Sequence, residues 1–82
     1  MLPTPEQIRQ YIADNLPCEH IEVQGDGAHF EAVIVSTEFE GKRPIARHQR
    51  VYAALGERMK DEIHALSMRT LTPEEYKANP NG

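Results

Sequence analysis

Two hydrophobic rhythms alternate along the chain. Ile8, Tyr11, Ile12 and Leu16 recur at steps of three and four, the spacing of one helical face. Thr4-Pro5-Glu6-Gln7 supplies the start: a capping threonine, a proline suited to the first turn and a glutamine that closes a capping box. Pro17 ends the run. The period then drops to two over His20-Ile21-Glu22-Val23-Gln24, with Ile21 and Val23 facing inward, which predicts a strand. Gly25-Asp26-Gly27 is a hairpin-type turn signal, and Phe30-Glu31-Ala32-Val33-Ile34-Val35 predicts a second, antiparallel strand. Residues 38–44 read as a polar connection containing Gly41.

From Ile45 the helical period returns. Ile45, His48, Tyr52, Leu55 and Met59 form one stripe with Val51 beside it, and Gly56 is expected to end this helix and let a short second one begin. A third strand is predicted over 63–71, with His64, Leu66 and Met68 on one face and Ile63, Ala65 and Ser67 on the other. Thr72-Pro73-Glu74-Glu75 is another capping box with proline at the first helical position, opening a short last helix that runs into a frayed tail at 78–82. The order α-β-β-α-α-β-α joins strands two and three by a long helical crossover, which favours a parallel, right-handed arrangement. The simplest product is an α+β domain: a three-stranded mixed sheet, order 1-2-3, with helices on one face.

The length of 82 residues implies one small domain over 1–82, burying about 60% of its unfolded surface. The lone cysteine, Cys18, rules out an internal disulfide framework and a four-cysteine metal site, and fits a reducing, cytoplasmic setting. No cationic segment followed by an apolar run opens the chain, and no apolar run nears the ~20 residues that span a bilayer. The net charge of −4 argues against general polyanion binding. Lys42, Arg43, Arg47 and Arg50 nevertheless lie in an acid-free stretch, open to three readings: a solvated helix start, a docking surface for an acidic partner, or a nucleic-acid face.

Two histidines change the picture. His64 opens the inner face of the third strand where an aliphatic residue is usual, and His29 stands at the head of the second. In parallel neighbours about 4.8 Å apart, both emerge at one end of the sheet, within reach of one metal centre. The pleat sets His29 opposite Phe30 but His64 with Leu66, and a strand-edge histidine can instead simply donate to a carbonyl. His20 and His48 are read as structural, and Cys18 as half-buried and inert. Ser36 and Ser67 have no evident base nearby in sequence, and no serine–histidine–acid set or phosphate loop appears, so a non-enzyme is expected.

Gly27-Ala28-His29-Phe30, Phe39-Glu40-Gly41-Lys42, Arg47-His48-Gln49-Arg50-Val51-Tyr52, Ile63-His64-Ala65-Leu66 and Thr72-Pro73 together resemble the BolA/IbaG family, from about His20 to Tyr76. The resemblance implies a class II KH-like fold and a monothiol glutaredoxin partner. In that complex a [2Fe–2S] cluster is held by the glutaredoxin cysteine, a glutathione thiol and residues of the BolA-like chain. It carries the principal ligand to His64 and the second, a loop position, to His29. It implies iron–sulfur trafficking or iron-status signalling, and it also brings stress-response and transcriptional roles. The alternative is a nucleic-acid-binding regulator using the 42–50 stretch, acting on DNA. RNA binding of the ordinary KH kind is disfavoured: that fold uses a Gly-x-x-Gly loop, whereas Ala54-Leu55-Gly56-Glu57-Arg58-Met59 has one glycine and an acid. Two departures stand out: the family's Arg-His-Arg reads Arg47-His48-Gln49-Arg50 here, and the loop before His29 is short. The oligomeric state is not legible.

Overall fold

The computed structural model describes residues 3–26, 28–61 and 65–78. Helix α1, Pro5–Asn15, is opened by the expected reciprocal box: the Gln7 N–H donates to Thr4 Oγ1 at 3.1 Å, and the Thr4 N–H donates to Gln7 Oε1 at 2.8 Å. Strands β1, His20–Gly25, and β2, Phe30–Val35, pair antiparallel. Gly25 lies opposite Phe30, and a Cβ there would stand 2.6 Å from the Phe30 ring and 2.9 Å from the His29 carbonyl. Packing therefore favours glycine at this position.

The 38–44 connection is less plain than expected. It begins inside a 3-10 turn, Thr37–Phe39, capped by Ser36, which drops Phe39 fully into the core. Helix α2 runs Pro44–Leu55, and Gly56 caps it with φ +61°, its N–H returning to the Tyr52 carbonyl. The short helix expected after Gly56 is, as far as Asp61, a succession of turns, with the Arg58 and Lys60 N–H groups bonding three residues back. Strand β3 is Leu66–Leu71, and Ala65 lies outside it. Ile63 and His64, from the strand expected over 63–71, lie outside the described residues, as does Gly27 of the turn. Helix α3, Pro73–Ala78, starts from the second capping box, with Glu75 N–H to Thr72 Oγ1 at 3.1 Å and Thr72 N–H to Glu75 Oε1 at 2.9 Å.

The sheet has the expected order, β1-β2-β3, with β2 and β3 parallel and Phe30 beside Leu66. Ile8, Ile12 and Leu16, Val51, Ala54 and Leu55, and the inward residues Phe30, Ala32, Ile34 and Leu66 share one core cluster. Two expectations need correction. The buried stripe of α2 is centred on Val51, while Ile45 and Tyr52 are 71% and 40% exposed. The stripe is thus rotated by about one residue, ~100°, because Arg47 and Arg50 occupy half-buried flanks that hydropathy assigns to water. The helices also do not all share one face. Val35 is buried outside the main cluster, and its register partners His20 and Leu71 lie on the same outer side of the pleat. Tyr76 of α3 stacks on His20 with ring centroids 5.0 Å apart, so α3 covers one end of the second face.

Candidate functional site

The parallel register fixes one end of the sheet. β2 and β3 both begin there, Phe30 beside Leu66, and His29 immediately precedes β2. Its main chain is held on both sides by Asp26. The His29 N–H donates to Asp26 Oδ1 at 3.0 Å, the Ala28 N–H joins it at 3.0 Å, and the Asp26 N–H returns to the His29 carbonyl at 3.2 Å. These two main-chain donors, Ala28 first, hold the Asp26 carboxyl below its ordinary value. The His29 side chain lies on the outer face, opposite to buried Phe30, and is exposed. Its Nε2 hydrogen-bonds Ser67 Oγ on β3 at 3.0 Å, across 38 positions of sequence.

That pairing escapes a sequence reading, which finds no base near Ser67. The signal that could have found it is the register itself: Ser67 is the second residue of β3, on the same outer side as His29. The arrangement is a pair and not a triad, since Asp26 Oδ1 serves the main chain and not the imidazole. His64, assigned as principal ligand, lies outside the described residues. Among the described residues no cluster of three or more histidine, cysteine or acidic side chains could hold a metal ion. One exposed imidazole, whose Nδ1 makes no hydrogen bond among the described residues, does fit a single ligand position in a site completed by other donors.

The other histidines and the cysteine are engaged in the fold. His20 Nε2 meets Glu22 Oε2 at 2.8 Å besides its stack on Tyr76, and His48 is half-buried on α2. Cys18 Sγ donates to the Leu16 carbonyl at 3.2 Å, and burial pushes its thiol up to about 11, away from the reactive thiolate.

The basic stretch divides in two. Arg47, only 12% exposed, donates to the carbonyls of Lys42 and Thr70 at 2.8 and 3.1 Å and grips Glu75 at 2.7 Å. Arg50 pairs with Glu38 at 2.9 Å and donates to the Asn15 carbonyl at 3.1 Å. Both guanidinium groups join helices to strands and loops. Lys42 and Arg43 are exposed, and among the described residues their side chains make no ion pair. Nor is any helix among the described residues long and apolar enough to cross a membrane.

Residues 12–75 match the family described as BolA-like protein. Over 59 residues the chain is 46% identical to the DNA-binding transcriptional regulator BolA of Haemophilus influenzae, covering 72% of this chain and 57% of that protein. It is 46% identical over 79 residues to Protein BOLA2 of Arabidopsis thaliana, covering 90% and 84% of the two chains. The solved structure of a bolA protein homologue from Coxiella burnetii superposes with a TM-score of 0.82 at 44% identity, over 93% of this chain and 99% of that one. The chain thus spans just over half of the Haemophilus relative and nearly all of the Coxiella structure.

Proposed function

The chain belongs to the BolA-like family, and from that premise we propose that it is a non-enzymatic partner of a monothiol glutaredoxin. Together they share a [2Fe–2S] cluster for iron–sulfur trafficking or iron-status signalling. His64 is the principal ligand and His29 the second; glutathione and the glutaredoxin cysteine complete the four. The observation that supports this reading is the exposed His29 imidazole, held at the end of the sheet where β3 begins, its Nδ1 without a hydrogen bond among the described residues. Neutral imidazole is a competent iron ligand, and histidine in place of thiolate raises the cluster's potential.

The test is to mix the protein with a monothiol glutaredoxin, glutathione, iron and sulfide, and record the visible spectrum and complex size. A heteromeric complex with a distinctive spectrum is expected. His64→Ala should abolish that spectrum with the fold intact, and His29→Ala should alter it less. The protein alone, offering at most two imidazoles and no thiolate pair, should retain no cluster through desalting. An unchanged spectrum from the His64 variant sinks the ligand assignment.

A second reading, DNA binding, is favoured by the name of the Haemophilus relative. With Arg47 and Arg50 tied into the fold, it narrows to Lys42 and Arg43. Removing one phosphate-binding side chain should lower the log–log salt slope by about 0.9. A Lys42→Ala, Arg43→Ala variant titrated with labelled duplex at two salt concentrations tests this. Feeble binding at physiological salt by the natural protein is expected, given a net charge of −4; sub-micromolar binding that the double substitution removes would favour the regulator.

A further inference from the structure

We propose that Ser67 is a positioning residue for His29, setting its ring so that Nδ1, and not Nε2, is the atom offered to the cluster; this rests on the cluster-sharing reading above. The imidazole is fixed twice. Asp26 clamps the His29 main chain from both directions, and Ser67 Oγ holds Nε2 at 3.0 Å. The Ser67 main chain is held in place, because β3 is paired residue for residue with β2 and Leu66 before it is buried. Phe30, next to His29, is fully packed in the core. An exposed ring on a short turn is thereby held with Nε2 toward Ser67, while Nδ1 makes no hydrogen bond among the described residues.

Ligation needs a lone pair on the donor nitrogen. A metal at Nδ1 requires the proton of the neutral ring to sit on Nε2, from which it donates to Ser67 Oγ. Histidine ligands generally give their second N–H to a carboxylate, a main-chain carbonyl or water, which fixes both tautomer and ring plane, and losing that partner costs about 10–100-fold in metal affinity; Ser67 Oγ takes that place here. Ser67 lies on β3 and not on the turn that carries His29, so its position is set by the sheet and does not depend on the geometry of the turn.

The test has one arm without a cluster and one with it. In long-range proton–nitrogen spectra of the isolated protein with the ring neutral, His29 should carry its proton on Nε2. Ser67→Thr, which keeps the hydroxyl, should preserve that pattern. Ser67→Ala should move the ring signals toward those of an unrestrained histidine. In the glutaredoxin, glutathione, iron and sulfide mixture, Ser67→Ala should shorten the cluster lifetime by about tenfold and shift its spectrum in the same sense as His29→Ala, and Ser67→Thr should restore both. A proton found on Nδ1, or spectra unchanged by Ser67→Ala, overturns the proposal. If the natural mixture forms a cluster that responds to His29→Ala but not to Ser67→Ala, the positioning role falls and the shared cluster stands. If the natural mixture forms no cluster, the cluster-sharing reading falls and takes the ligand role with it.

Discussion

Arg47 illustrates how much of this fold rests on single polar residues. It ties the start of α2 to β3 through the Thr70 carbonyl and to α3 through Glu75. Arg47→Ala leaves two main-chain carbonyls without this donor, on the order of 1–3 kcal/mol. For a domain this size each kcal/mol lowers Tm by about 4–8 °C, so thermal unfolding should show a drop of several degrees. The same ion pair gives an acid signature. The Arg47 guanidinium and the Thr72 N–H pull Glu75 from 4.5 down to about 2. A carboxylate depressed in the folded state stabilises above its unfolded value, and that contribution is lost as pH falls from about 4.5 toward 2. Thermal melts across that window should decline more steeply for the natural protein than for Glu75→Gln. At Gly25 the effect is steric. With the Phe30 ring 2.6 Å from the site of a Cβ, Gly25→Ala should lower the denaturant midpoint by displacing a core aromatic; an unchanged midpoint would show that the ring moves freely.

Among the elements, α2 shows best what the sequence conveys and what it withholds. Its existence, its proline start and its glycine stop are legible because they depend on local backbone chemistry at Pro44 and Gly56. Its rotation is not, because the bonds that allow Arg47 and Arg50 to flank the core are made to residues distant in sequence. Val51→Ala should therefore cost about 0.5–3 kcal/mol, whereas Ile45→Ser should stay within about 0.5 kcal/mol; denaturant titration of the two variants checks the assignment. The same limit governs the site. His29 at the head of β2 and the parallel start of β3 follow from the order of elements and the long crossover, whereas its partner Ser67 depends on tertiary register. The second face of the sheet was hidden likewise. A helix as short as α3 has no periodicity to read, and it is the stack of Tyr76 on His20, made in tertiary space, that reveals which side it takes.

At the scale of the whole molecule, the fold places His29 and Ser67 outside the core that holds α1 and α2 to the sheet. Substitutions at either residue can thus be read as chemistry with the scaffold intact. The parallel pairing of β2 with β3 also has a temporal consequence. The β1–β2 hairpin closes a short loop, whereas Phe30 and Leu66 meet only after the intervening crossover has been gathered in. Loop-closure entropy makes such non-local pairing late and slow. The imidazole and hydroxyl that meet across 38 positions are then among the last groups to find each other during folding. Pulsed hydrogen exchange during refolding should protect hairpin amides before those of β3. The nascent chain would accordingly lack the His29–Ser67 pairing until its final strand docks, and under the proposed cluster-sharing role a partially folded molecule could not present that ligand.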